Sequence, residues 1–386
     1  MQAYHSSMGG FMDKELGEGF LDHFSGLQDP RSTRNRLYSM AEILLVTLCA
    51  VICGADGWQD IEDFGVAKLE LLRQILPFKN GIPSDDTFRR FFRSLNPNTV
   101  QDLFRSWVQN LKPNLTDKVI AIDGKSSRHS FDDGVDMLHT VSAYASEARL
   151  VLAQEKVSEK SNEITAIPKL LEWLDVRGSI VTIDAMGCQH AIANQIVQKE
   201  GNYILSLKGN QGTLHEDVAE YLSDEQLKTA DDIQSYTDYD KGHGRIETRI
   251  CSISSNVEWL HERHPLWASI RTIVRIDSKR EFKDKMTSET RYYISSASHK
   301  TPELILHSVR SHWAIENNLH WILDMSFGDD QSRMRKKNAP QVMAVIRHIA
   351  LNLLQKTKSQ MKRQSIRRLR KLAGWDAGTL SMILNQ

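Results

Sequence analysis

The sequence predicts an α/β protein: a mixed sheet flanked by helices, with a strand-rich insertion ahead of a long helix and a small all-α domain in front. Three observations carry this. Apolar residues recur at three- and four-residue spacing up to about residue 111. Short β-prone runs that end in an acid, residues 119–123 and 179–184, begin after that point. Strand-like segments then crowd between residues 232 and 297, before a helical period resumes at Pro302.

Taken in order, the first element is expected near Phe20, after a start with little periodicity. Helical spacing runs over 39–50 and 58–76, as in Leu69, Leu72, Ile75 and Leu76, and again over 85–95 and 100–111, with Ser84 or Asp85 as N-cap behind Pro83. These elements form a helical domain over residues 1–114. Val119-Ile120-Ala121-Ile122 is a strand ending in Asp123, and residues 137–144 and 150–157 read as two more. A helix over about 167–174 tolerates Pro168 in its first turn. A strand over 179–183 ends in Asp184, followed by a helix over 191–199, a strand over 203–207 and a helix over 214–222. In the strand-rich stretch, 245–253, 270–276 and 291–294 are the candidates. The helix from Pro302 carries Leu304, Ile305, Val309, Trp313, Glu316, His320 and Leu323, and a last helix covers 341–354. A second domain therefore spans 115–355, with its β insertion at about 208–300, and residues 356–386 remain as a basic tail.

Composition bounds the function classes. With 386 residues, 40% apolar and 25% charged, the chain is a folded protein of two or three domains and neither a disordered nor a membrane protein. The longest apolar stretch, residues 43–53, falls short of the roughly 20 residues a membrane span needs, and the N-terminus lacks a signal-peptide pattern. A cytoplasmic, nucleoid-associated location with no membrane partner is expected. Cys49, Cys53, Cys188 and Cys251 show no metal-ligand spacing, and the first two lie four apart in an apolar helical run, where thiols pack as small hydrophobes. The formal net charge is zero, but residues 331–386 hold thirteen Lys or Arg and one acid, Asp376. An acidic body thus carries a basic end, which suits an anionic partner or a solvated helix face.

Asp123 and Asp184 each close a buried strand. Ligands gather at the carboxyl ends of strands in such sheets, so the two acids are close if the strands are neighbours. Glu316 lies on the later helix, whose apolar residues Trp313, Ile315 and Trp321 imply partial burial against the sheet. Three strands, a helix, a strand, helices, a strand and then a helix bearing an acid is the RNase H topology, interrupted here by residues 208–300. Converging carboxylates repel one another unless a cation neutralises them. An all-oxygen set suits Mg²⁺, with Mn²⁺ as a substitute, and two such ions can clamp a phosphodiester displacement.

The segments Ala121-Ile122-Asp123-Gly124-Lys125, Val181-Thr182-Ile183-Asp184-Ala185-Met186-Gly187-Cys188-Gln189, Lys208-Gly209-Asn210-Gln211, His243-Gly244-Arg245-Ile246-Glu247 and His312-Trp313-Ala314-Ile315-Glu316-Asn317 resemble, in this order, the DDE transposases of bacterial insertion sequences, in the H-repeat-associated, Rhs-linked (ISAs-type) branch. The resemblance runs from about Phe20 to Leu354 and includes Asp29-Pro30-Arg31 and Gly54-Ala55-Asp56-Gly57-Trp58. It implies that Asp123, Asp184 and Glu316 are the catalytic, metal-binding triad. It also implies cleavage at the inverted-repeat ends of a mobile element, joining of the freed 3′-OH to target DNA, and a homo-oligomer on double-stranded DNA. One departure stands out. The Tyr, Arg and Lys that many insertion-sequence transposases place around the glutamate are replaced here by Val309, His312 and Leu323.

Candidate DNA contacts are Lys125, Arg128, Lys208, His243, Arg245, Arg310, His312, Arg333, Arg335, Lys336 and Lys337, each also readable as a solvated surface residue; Arg89, Arg90, Arg93 and Arg105 give the helical domain basic residues as well. The Gly-Lys-Ser fragment after Asp123 lacks the first glycine of a P-loop, so ATP use is not indicated. His312, Glu316, His320 and Asp324 recur every four residues, a spacing that could also hold zinc, although the His-Glu-x-x-His motif is absent. Asp329 and Asp330 read as helix-ending residues or as helpers at the metal site. Trp58, Trp107, Trp259 and Trp267 read as core or interface aromatics. The rival functions are an RNase H-like nuclease that does not join strands, and a catalytically idle DNA-binding remnant.

Overall fold

A computed structural model describes residues 18–111, 113–130, 137–157, 163–242, 245–282, 285–298, 300–361 and 363–386. Nine strands form one sheet: β1 Val119–Ser126, β2 His139–Ala145, β3 Leu150–Lys156, β4 Ile180–Ile183, β5 Asn202–Leu207, β6 Ile233–Gly242, β7 Arg245–Ser254, β8 Thr272–Phe282 and β9 Lys285–Ser295. Their order is β3-β2-β1-β4-β5-β9-β8-β7-β6. β1, β4 and β5 run parallel, β3 is antiparallel to β2, and β9 pairs antiparallel with β5. The first five strands therefore have the RNase H order, and the insertion prolongs the same sheet from its β5 side. Val119 to Ile122 and all of β4 are buried on both faces, which is why they read as unbroken apolar runs. β6 has no such signature. Its sequence IQSYTDYDKG is half-buried to exposed throughout, and the sequence reading missed it.

The chain divides into two compact units. The sheet unit comprises Pro113–Lys125 and His139–His320; the helical unit comprises the residues before 113, Ser126–Leu138 and Trp321–Gln386. In the sheet unit the Pro302–His312 helix packs Ile305, Leu306 and Val309 onto Ile180, Ile204, Cys251, Val274, Ile276 and Tyr293. Each such side chain contributes about 1.5–3 kcal/mol when fully buried. The expected unbroken helix from Pro302 is corrected here. Its regular part ends at His312, and Glu316–His320 forms a π-helical turn, an irregularity frequent at functional sites. The helix before β4 is Glu163–Trp173, so Pro168 stands in its interior and not in its first turn. That position costs one backbone hydrogen bond.

In the helical unit, Met40–Cys53 begins with a capping box. Ser39 Oγ accepts from Glu42 N at 3.1 Å, and a Glu42 carboxylate oxygen accepts from Ser39 N at 2.9 Å. It ends at Gly54, whose φ of 115° is one that side chains with a Cβ avoid. Glu42 to Ile52 are all buried. Such a helix needs neighbours on every side, and Trp58–Ala67, Ala339–Gln360 and Ile366–Trp375 supply them. The stretch read as a basic tail, 356–386, falls in this unit, where its described residues lie largely in the end of Ala339–Gln360 and in the helices Ile366–Trp375 and Ala377–Leu384. Arg370 cannot meet a ligand, because it is buried, donates to Val51 O at 2.7 Å and lies 4.1 Å over the Phe327 ring. Trp58 stacks on Phe92, Trp107 packs by Phe104 and Trp267 is buried, as core aromatics do, while Trp259 is half-buried and stacks on Tyr221. Among the described residues, no single helix is long and apolar enough to cross a membrane.

Candidate active site

The β1–β4 register ends with Ile122 against Ile183, so Asp123 and Asp184 each come one residue past the last paired position of these adjacent parallel strands, although β1 itself runs on to Ser126. Asp184 is fixed by its own turn: its Oδ1 accepts from Met186 N at 3.1 Å and Gly187 N at 3.2 Å. Gly187 is required by packing, since a Cβ there would lie 2.3 Å from Ile183 Cγ2. Two motifs lock together behind this turn, where Asn210 donates to Ala185 O at 2.8 Å and Gln211 to Cys188 O at 2.6 Å. Lys208 precedes them and is exposed.

Asp123, Asp184 and Glu316 line one cavity of about 240 Å³ together with Lys208, Arg291, His312 and Trp313. Burial pushes the Asp123 carboxyl up to about 7; the Gly124 N–H opposes this, and the charges of Asp184, Glu163 and Glu316 add to it. Glu316 is exposed, contrary to the partial burial read from its neighbours, because Ile315 and Leu319 take the buried side of the turn while Trp313 and Trp321 stay 42% and 59% exposed. His312 Nδ1 shares a 3.0 Å hydrogen bond with Thr182 Oγ1, and burial lowers its pKa. It therefore presents a neutral imidazole to the cavity. His320 Nδ1 lies 3.6 Å from Asp123 Oδ2.

The four-residue stripe is therefore no common ligand row: the π turn carries Glu316 into the cavity and His320 beside Asp123. Among the described residues, the set of three with ligand atoms within 4.8 Å of one another is Asp324, Asp329 and Asp330, in the helical unit. Asp329 is buried and accepts from Arg347 Nη1 at 2.7 Å and Ser127 Oγ at 2.8 Å; Asp330 accepts from Arg128 N at 3.2 Å. These acids hold the segment after β1 in the helical unit. Asp123, Asp184 and Glu316 stand farther apart around their cavity.

The other sequence candidates distribute as follows. Lys125 is on β1 but does not line the acidic cavity, and Arg128 is exposed with Nε 3.5 Å from Asp330. Arg245 and Arg310 belong to a neighbouring groove of the insertion. His243 lies outside the described residues. Arg333, Arg335 and Lys336 line a cavity of about 420 Å³ with Arg89 and Arg93 of the Asp85–Ser94 helix, and no acidic residue lines it among those described. Two basic patches far apart in sequence thus become one. Lys337 is exposed beside it, at φ 52°. Sequence reasoning missed Glu163, which accepts from His139 Nε2 at 2.6 Å and would sit 2.1 Å from a Cβ on Gly124. It stands in a polar stretch with no periodic signal. Arg291, 5.4 Å over the Trp313 ring, was hidden in a strand run.

Strand order and the placement of two acids just past the paired stretch of β1 and β4 make this an RNase H-like α/β protein. Within that class the chain belongs to the DDE transposase family: the family described as "Transposase DDE domain" matches residues 114–353, and the one described as "DDE_Tnp_1-associated" matches residues 21–108. It is 38% identical over 370 residues to the "H repeat-associated putative transposase YhhI" of Escherichia coli K12, covering 94% of this chain and 97% of that one. It is 39% identical over 346 residues to the "Putative transposase YncI" of Escherichia coli O157:H7, covering 88% of each. Among solved structures, the synaptic complex of the piggyBac transposase with hairpin DNA aligns at a TM-score of 0.44 and 10% identity, over 97% of this chain and 79% of that one.

Proposed function

We propose that the chain is an active transposase that cleaves DNA at the inverted-repeat ends of an insertion sequence and joins the freed 3′-OH to target DNA, with Asp123, Asp184 and Glu316 as its catalytic carboxylates. The observation that carries this is their shared cavity. The donor set fits Mg²⁺ or Mn²⁺: all three ligands are carboxylates, and the upward push on Asp123 marks a charge deficit that a cation would relieve. Bound there, the metal would supply Lewis-acid stabilisation of the attacking and leaving oxygens.

The protein's own residues do the rest. Lys208 and Arg291 line the same cavity and can hold a phosphate against the acids, and His312, neutral, can hydrogen-bond a phosphate oxygen without adding charge. The cavity lined by Arg89, Arg93, Arg333, Arg335 and Lys336 is a second place for duplex backbone, where it would serve capture of element ends by the helical unit. The working form on paired ends is a homo-oligomer acting in the cytoplasm.

The test is a cleavage and strand-transfer assay with Mg²⁺ on a duplex carrying an element end. Glu316→Gln keeps side-chain volume and removes the charge. Near-normal folding and end binding with cleavage lost, as for Asp123→Asn, is the expected result. Full cleavage by Glu316→Gln beside a dead Asp123→Asn control would remove Glu316 from the site. Nicking without joined products would leave a nuclease.

A further inference from the structure

The insertion strands β6 to β9 turn one face toward the Pro302–His312 helix. Near the helix that face is apolar, with Cys251, Ile276 and Tyr293. Two residues farther along each strand it becomes charged. The registers align Asp240, Glu247, Arg280 and Thr287 in one row, and Asp238, Arg249, Ser278 and Glu289 in the next. Here the face is an open groove of about 460 Å³, and it shares Arg291, Tyr293, Val309 and Trp313 with the acidic cavity.

At the centre of the groove lies Glu247, 4% exposed. Arg280 Nε is 2.7 Å and Arg245 Nε 3.3 Å from its Oε1, and Arg249 pairs with Oε2. A buried carboxylate is costly without a partner, but one guanidinium suffices to neutralise it. Three are gathered here. Arg249 also faces Asp238 at 3.7 Å, whereas the side chains of Arg245 and Arg280 remain 50% and 59% exposed. The other cations of the groove have acids of their own: Arg310 holds Asp238 and Asp240 at 2.8 and 3.1 Å, and Arg291 holds Glu289 at 2.8 Å. The surplus positive charge is thus concentrated on the two exposed guanidiniums, whose planar forks match phosphate oxygens.

We infer that Glu247 is a positioning residue: it fixes Arg245, Arg249 and Arg280 as a phosphate-binding fork that holds the DNA strand adjoining the acidic cavity. The inference rests on the transposase reading and adds to it the residue that arranges the grip. Charge and position make opposite forecasts for Glu247→Gln. Removing an acid from a DNA-binding groove raises the net charge by one, and on charge alone binding tightens. If the carboxylate positions the arginines, binding weakens about tenfold despite the added charge.

The experiment measures affinity of the full chain for a fluorescently labelled duplex of arbitrary sequence as a function of salt. Arg245→Gln and Arg280→Gln are each expected to flatten the slope of log affinity against log salt by about 0.9. Glu247→Gln is expected to flatten it by about one to two, with Glu247→Asp recovering part of the loss. A folded Glu247→Gln protein that binds as tightly as the wild type, or more tightly, overturns the inference. Should Glu247→Gln not fold, the Arg245→Gln/Arg280→Gln double variant decides, and an unchanged slope overturns it. Wild-type protein that binds with the full slope yet cuts no element end would instead sink the transposase reading and leave the fork standing.

Discussion

Asp123→Asn replaces the carboxylate whose ionisation the fold opposes most visibly. In the unfolded chain this carboxyl titrates at 3.8, and in the folded protein at about 7. Between these values the folded state binds the extra proton, so this group's contribution to stability falls as pH rises from about 4 to about 7 and then levels off. An asparagine carries no such dependence. The variant should therefore be the more stable protein in EDTA, by about 2 kcal/mol at pH 5, growing at about 1.36 kcal/mol per pH unit up to pH 7 and staying at about 4 kcal/mol at pH 8. For a unit the size of the sheet unit, each kcal/mol moves the melting temperature by roughly 2–4 °C. Calorimetric melting of both proteins from pH 5 to 8 in EDTA measures the gap. Adding Mg²⁺ should narrow it, since a ligand that binds the folded wild type raises its stability. A gap that does not widen with pH, or a variant less stable than the wild type at pH 8, would refute the account of Asp123 as a desolvated acid among acids.

Two further outcomes are expected in the helical unit. Changing Arg89, Arg93, Arg333 and Arg335 together to Gln should flatten the salt dependence of duplex binding by up to about 3.6, read by the same titration of affinity against salt, and an unchanged slope would make that cavity ordinary solvated surface. Arg347→Ala should cost about 3–5 kcal/mol in urea unfolding, because it removes the guanidinium paired with the buried Asp329 carboxylate; a loss under about 1 kcal/mol would show the pair to be solvated.

The central sheet was legible because residues 119–122 of β1 and all of β4 are buried on both faces and each run is followed by an acid, so burial pattern and chemistry pointed to the same residues. Where a segment's environment came from distant residues, the sequence was silent or misleading. β6 is polar because it lies at the sheet's end, and no periodicity betrays it. The four-residue spacing from His312 to Asp324 looked like one stripe, but a π turn at Glu316–His320 redirects it. The basic residues of the last quarter of the chain looked alike, yet Arg370 is buried on a carbonyl and a phenyl ring while Arg333 is exposed, a difference set by the packing of Ile366–Trp375 on Met40–Cys53. Glu163 is near Asp123 only through the fold.

The Met40–Cys53 helix, buried along eleven consecutive residues partly by helices that begin at Ala339, ties the start of the chain to its end. On the ribosome the first of these segments waits for the last. At roughly 5–20 residues per second, the interval from Cys53 to Ala339 is about fifteen seconds to a minute, during which an apolar helix has no mate. A chain lacking the residues from 339 on loses two of the three helices that cover Met40–Cys53. Arg89 and Arg93 share a cavity with Arg333 and Arg335 only in the closed unit, so this basic face of the helical unit forms late in synthesis.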